Sequence, residues 1–187
     1  MKKTNFIIVF LLSIFFFSSC NKPDWSIKTY NGDDFSDKTF KNHKLNAVVF
    51  LAPECPLSEA AIQELNKLQK KYFKYDYSTY VVIPGNLYTN EEVKKFIEQF
   101  QIEFPVVLDT GAVITSMLKA KTTPEVFLVT DSMKVVYQGA IDDRAFDNEF
   151  IRQDAQHNYL DSAISQYSNF KKIKVIKTNA VGCFIEL

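Results

Sequence analysis

The feature that most constrains this chain is the segment Leu45 to Leu51, Leu-Asn-Ala-Val-Val-Phe-Leu, together with the helical pattern immediately behind it. A near-continuous apolar run of this length reads as a strand covered on both faces. Beyond Pro56, apolar residues recur at Leu57, Ala61, Leu65, Leu68 and Tyr72. That is helical spacing, with Gln and Lys residues turned to water between them. A buried strand feeding an amphipathic helix requires a layered α/β architecture.

The pattern continues along the chain. Trp25 to Tyr30, with the turn at Asn31-Gly32, predicts a strand or hairpin that opens the domain. Tyr80 to Ile83 predicts a second buried strand, ended by Pro84-Gly85. Thr89-Asn90-Glu91-Glu92 fits a capping box, and Val93, Phe96, Ile97 and Phe100 form one apolar helix face behind it. Pro105 to Leu108 reads as a third strand and Ala112 to Lys119 as a short helix. Glu125 to Val129 and Val135 to Gln138 read as a hairpin about Thr130-Asp131-Ser132. Helical spacing returns at Ile151, Ala155, Tyr159, Ala163 and Tyr167. This order predicts an α/β fold with a central mixed sheet: largely parallel strands plus an antiparallel edge, flanked by helices.

Composition narrows the function. The 187 residues carry 22 Lys plus Arg against 22 Asp plus Glu, which excludes binding nucleic acid through a basic face. Lys171, Lys172, Lys174 and Lys177 accordingly read as a solvated face. An apolar content of 47% with 5 Gly and 6 Pro excludes a disordered chain. Three cysteines are too few for a disulfide scaffold. His43 and His157 are isolated, without ligand-like spacing to the cysteines, so neither a metal nor another cofactor is expected.

The N-terminus reads as an address. Lys2 and Lys3 precede the apolar run Phe6 to Phe17, which is too short to span a bilayer, and Ser18-Ser19-Cys20 comes next. This resembles the signal of bacterial lipoproteins, in which the cysteine becomes the acylated first residue; Phe17 departs from the aliphatic residue preferred there. The expected organisation is a signal over 1–19, lipidated Cys20 with a spacer to 24, a domain over 25–170 and a tail over 171–187. The expected location is the cell envelope, outside the cytoplasm, with the membrane as partner through the lipid and disulfides able to persist.

Cys55 lies between the buried strand and the first helix, with Pro56 suited to the first helical position. A thiol there faces free amides and the positive end of the helix dipole, which favour the nucleophilic thiolate. Glu54 opposes this by its charge.

Pro53-Glu54-Cys55-Pro56-Leu57-Ser58 after a Val-Val-Phe-Leu strand resembles the active-site turn of thioredoxin-fold proteins. Phe104-Pro105-Val106-Val107-Leu108-Asp109, Thr122-Thr123-Pro124-Glu125-Val126-Phe127-Leu128 and Val136 to Arg144 extend the likeness. Together they resemble extracytoplasmic redoxin-domain proteins of the peroxiredoxin and thiol-disulfide oxidoreductase group. The resemblance implies a thioredoxin-like fold, a cis Pro124 lying against Cys55, and Glu125 close enough to handle the Cys55 proton. It also implies a thiol or disulfide protein, or a small peroxide, as reaction partner. Two departures stand out: Ser58 replaces the second cysteine of Cys-x-x-Cys, and Ala52 replaces the hydroxyl residue that holds peroxide in peroxiredoxins.

Cys183 is then the second thiol. Its segment Thr178-Asn179-Ala180-Val181-Gly182-Cys183 resembles the Gly-Cys tails of the same group, and a glycine beside a cysteine suits a resolving thiol that must approach and leave. A small apolar residue packed on the sheet is the other reading. Ile141-Asp142-Asp143-Arg144 reads as a solvated turn or as the border of the cleft, with Arg144 near the thiolate. Function divides accordingly. One class is a thiol oxidoreductase with Cys55 as nucleophile and Cys183 or an external thiol as resolver. The other is a catalytically silent binding or scaffold lipoprotein, with copper handling by Cys55, Cys183 and a histidine as a minor variant.

Overall fold

The computed structural model describes residues 25–145 and 152–187. The expected signal over 1–19, Cys20 and Ile151 lie outside them. A short hairpin opens the chain, β1 (Ser26–Lys28) with β2 (Asp34–Ser36), turned by Gly32 at a φ of 89°. The central sheet has five strands: β3 (Leu45–Phe50), β4 (Tyr77–Pro84), β5 (Val106–Asp109), β7 (Glu125–Thr130) and β8 (Val135–Gly139). Between β5 and β7 lies the short β6 (Thr122–Thr123), outside this sheet. The strand order is β5-β4-β3-β7-β8. β3, β4 and β5 are parallel, while β7 runs antiparallel to β3 and β8 to β7. The expected mixed sheet of a thioredoxin-like fold is present.

β3 sits at the centre, and every one of its residues is buried. Its alternate side chains feed two cores, which is why the run is almost wholly apolar. Leu45, Ala47, Val49 and Leu51 join Ile62, Leu65 and Leu68 of α1 (Pro56–Tyr72). Val93 and Phe96 of α2 (Asn90–Phe100) and Leu160 and Ile164 of α4 (Tyr159–Ser168) complete that layer. Val48 and Phe50 face the other way, against Phe35, Phe40, Tyr80 and Ile114 of α3 (Val113–Leu118). Asn46, the polar exception in β3, is fully buried and donates to the carbonyls of Phe40 and His43, both at 3.0 Å. It thereby fixes the loop between the hairpin and the sheet.

The capping box of α2 forms as expected: the Thr89 hydroxyl accepts the Glu92 N–H, and the Glu92 carboxylate accepts the Thr89 N–H at 2.7 Å. Asp109 starts α3 by accepting the N–H groups of Val113 and Thr115, both at 2.8 Å, and the Thr115 hydroxyl at 2.7 Å.

The last helix corrects the sequence reading. Helical spacing extends back through Ala155, yet α4 begins only at Tyr159. Asp143 accepts the N–H groups of Gln156 at 2.8 Å and His157 at 3.0 Å, holding this segment as a loop that leads into the helix. One pairing was not anticipated. β6 pairs antiparallel with β9 (Cys183–Phe184), placing Thr122 opposite Phe184 and Thr123 opposite Cys183. The tail thus returns to the carboxyl end of β3, where the first helix starts. Among the described residues, no helix is long and apolar enough to cross a membrane.

Candidate functional site

Cys55 is the N-cap of α1, in an extended conformation with Pro56 at the first helical position. Its carbonyl accepts the N–H of Ser58 at 2.9 Å and of Glu59 at 3.2 Å, closing the first turn. The side chain is 2% exposed. Ser58 is fully buried beneath it, and its hydroxyl oxygen accepts the Ala52 N–H at 3.1 Å. The residue in place of a second cysteine therefore ties the end of β3 to the first turn of α1.

The Cys55 thiol donates to the Thr123 carbonyl at 3.2 Å, and the Thr123–Pro124 peptide is cis. The register that sets Thr123 opposite Cys183 brings the second thiol alongside. Cys55, buried, and Cys183, exposed, are both free thiols, and each acts on the titration of the other. Their titrations diverge. Burial pushes the Cys55 thiol up, but hydrogen bonds from the Cys183 thiol and N–H and from the Ser58 N–H and hydroxyl outweigh it, so its pKa lies below that of an ordinary cysteine. Burial and the neighbouring Cys55 sulfur push Cys183 up to about 11.

The other expected site residues divide. Pro124 lines an apolar cleft with Leu57, Ala61, Ile141 and Val181 beside the cysteine turn. Arg144 borders the same cleft but is held by Asp142, with Nη2 at 2.7 Å and Nε at 2.8 Å from one carboxylate oxygen. Its charge is committed to Asp142, and the Ile141–Arg144 segment is a wall of the cleft rather than a free surface turn. Glu125 is placed differently from its expected role as proton handler. One of its oxygens accepts the Lys121 N–H at 2.9 Å and the other accepts from Gln138 Nε2 at 3.2 Å. It anchors the strand ends instead of attending the thiol. Glu54 is exposed.

Sequence reasoning missed Tyr88 and Val181. Both pack on the cluster of Ala52, Cys55 and Leu57. Burial, then the charges of Glu54 and of Cys183 and Cys55, push the Tyr88 phenol above its ordinary value. No local pattern marks either residue, because each reaches the site from a loop. Among the described residues, no group of three or more His, Cys, Asp or Glu is arranged to hold a metal. His43 contacts Asp76 and His157 contacts Asp143, so each histidine is engaged by a carboxylate rather than by the cysteine pair.

A mixed sheet, a cysteine at the first helix and a cis proline opposite it agree with the family to which the sequence compares. Residues 20–138 match the AhpC/TSA family, well over half of the chain. The chain belongs to the AhpC/TSA family. No curated protein sequence matches it. Solved structures show the same fold. An uncharacterized conserved protein from Geobacillus kaustophilus superposes with a TM-score of 0.77 at 19% identity, covering 88% of this chain and 89% of its own. A hypothetical protein from Sinorhizobium meliloti 1021 gives 0.72 at 21% identity, over 87% and 90%. A putative thiol:disulfide interchange protein, DsbE, from Chlorobium tepidum gives 0.54 at 22% identity, over 62% and 79%. In this chain the turn at the start of α1 carries one cysteine, Cys55, and Cys183 arrives from the tail.

Proposed function

We propose that this AhpC/TSA-family protein is a thiol-disulfide oxidoreductase in which Cys55 is the nucleophile and Cys183 the resolving thiol. The observation that carries the reading is the meeting of two free cysteines at Thr123: the Cys55 thiol at the start of α1 donates to the Thr123 carbonyl, and Cys183 is the strand partner of Thr123. Structural neighbours named as a thiol:disulfide interchange protein and as a secreted disulfide oxidoreductase support it.

The chemistry balances within the pair. The Cys55 thiolate attacks one sulfur of a partner disulfide, forming a mixed disulfide and expelling the other sulfur as a thiolate, which takes a proton. Cys183 then loses its proton and attacks the Cys55 sulfur, closing a Cys55–Cys183 disulfide and releasing the second partner thiol. Two electrons pass from the cysteine pair to the partner, and an external dithiol restores the reduced pair. The reverse sequence oxidises a partner dithiol. Ala52 offers no hydroxyl to hold a peroxide, and its N–H is bound by Ser58, so a disulfide suits the site better than a peroxide. The basic and apolar leader ending at Cys20 supports placing this chemistry outside the cytoplasm on a lipid tether.

The test uses an aromatic disulfide, 5,5′-dithiobis(2-nitrobenzoate), added to the reduced protein. Release of two equivalents of coloured thiolate with no adduct retained is expected. Cys183→Ser releases one equivalent from Cys55 and retains the adduct. A wild-type protein that keeps its adduct on Cys55 overturns the resolving role. One whose Cys55 does not react supports a silent scaffold.

A further inference from the structure

Cys55 is buried, yet its chemistry requires a partner from outside, so something on the protein must move. Tyr88, Ala145 and the chain's own tail cover its cluster, and of these the tail is the part that carries the second thiol. Val181 packs directly on the Ala52, Cys55 and Leu57 cluster, and Cys183 lies across Thr123.

The tail is fastened unevenly. Upstream, Thr178 is a firm anchor: its N–H donates to the Gln138 carbonyl at 2.9 Å, and its hydroxyl oxygen accepts the Ala140 N–H at 2.9 Å and contacts the Tyr137 hydroxyl at 2.7 Å. Gly139 makes room for this, since a Cβ there would stand 2.3 Å from the Thr178 carbonyl oxygen. Asn179, Ala180 and Val181 then carry no hydrogen bond among the described residues. Beyond them the fastening is lighter: the two-residue β6–β9 pairing, a bond from the Thr123 hydroxyl to the Cys183 carbonyl at 3.5 Å, one from the Ile185 N–H to the Lys121 carbonyl at 3.0 Å, and the half-buried Ile185 side chain on the Phe35 and Ile114 core. Phe184 and Leu187 project into solvent, 82% and 72% exposed.

Gly182 makes the closure possible. A Cβ on it would stand 2.1 Å from the Thr123 carbonyl oxygen, 2.7 Å from its carbonyl carbon and 3.0 Å from Thr122 Cγ2. Two of these atoms are backbone, and the carbonyl oxygen is the same one that accepts the Cys55 thiol, so it cannot retreat without disturbing the cysteine. Only glycine lets the tail lie this close.

Resting on the redox reading of this pair, we infer that Gly182 is a positioning residue that seats Cys183 on Cys55. We further infer that residues 179–187 form a strap, anchored at Thr178, which lifts to admit the disulfide of a partner protein and reseats to resolve it. The strap links two duties that a fixed tail cannot combine. Seated, it supplies the thiol and N–H that stabilise the Cys55 thiolate; lifted, it opens the sulfur to attack.

Gly182→Ala is the decisive variant. Its added methyl holds the strap off, so the pH midpoint of Cys55 alkylation by iodoacetamide moves upward. Closure of the Cys55–Cys183 disulfide slows by at least about tenfold, because the second thiol is no longer oriented. Alkylation above the midpoint becomes faster than in the wild type. Ile185→Pro, which removes the Lys121 bond and loosens the contact of Ile185 with the Phe35 and Ile114 core, shifts the same three readouts in the same directions. If both variants keep the wild-type midpoint and closure rate, the strap is overturned. If the wild-type protein itself forms no Cys55–Cys183 disulfide, the redox reading fails first; the midpoint and alkylation rate still show whether Gly182 seats the tail over Cys55.

Discussion

The Cys55 thiol donates to the backbone carbonyl of Thr123 at 3.2 Å. This bond joins the N-cap of α1 to the cis-proline segment, and Thr123 in turn is the register partner of Cys183. One residue thus meets both cysteines, the thiol of Cys55 and the backbone of Cys183, although it lies far from each in sequence.

Alkylation of Cys55 is expected to rise with pH to a midpoint below the ~8.5 of a free cysteine, with Cys183 titrating only toward about 11. The two act oppositely on stability. The depressed Cys55 value contributes stability above its unfolded pKa, lost as pH falls through the folded one. The raised Cys183 value contributes stability below its unfolded pKa, lost as pH rises toward about 11. Cys183→Ala should move the Cys55 midpoint upward, because it removes a donor to the thiolate. Rates measured by mass spectrometry across pH check this; an unchanged midpoint would show that the tail does not act on Cys55.

Ser58→Ala is expected to destabilise the fold by about 1–3 kcal/mol, since the Ala52 N–H loses its buried partner. The same change should raise the Cys55 midpoint by removing the Ser58 hydroxyl. Denaturant unfolding and the alkylation profile read the two effects separately. Loss of stability without a shift in midpoint would restrict Ser58 to the turn.

Asp109→Ala should cost about 3 kcal/mol or more, because it strips the start of α3 of a buried carboxylate that accepts three N–H groups and a hydroxyl. Asp109→Asn should recover part of this. Chemical denaturation measures both.

Arg144→Ala should cost about 2–3 kcal/mol by leaving Asp142 nearly buried without its cation. Since Arg144 lines the cleft but is committed to Asp142, the Cys55 alkylation midpoint should not move. A large shift would instead assign Arg144 a direct part in stabilising the thiolate.

The strand and helix order was legible because each buried strand is an apolar run and each helix shows one apolar face, both local signals. The placement of Cys55 was legible for the same reason: Pro56 and the start of helical spacing mark it. Local signals misled at Ala155, where apolar spacing continues but Asp143 holds the backbone in a loop. They were silent on β6 and β9, whose two-residue pairing is a tertiary contact between distant segments. The family resemblance, not a local signal, gave Glu125 a role near the thiol, whereas its position at the start of β7 offers it the Lys121 N–H and Gln138. Whether Cys183 was packing or partner to Cys55 stayed open in the sequence, because tail composition does not reveal where a tail lands.

The central claim is that Cys55 and Cys183 are one redox pair, and peptide mapping after mild oxidation tests it most directly. The free thiols should give a peptide pair linking Cys55 to Cys183 within one chain, abolished in Cys55→Ser and in Cys183→Ser and reversed by a dithiol. Recovery of only intermolecular or mixed disulfides, or of both cysteines unoxidised, would contradict the account.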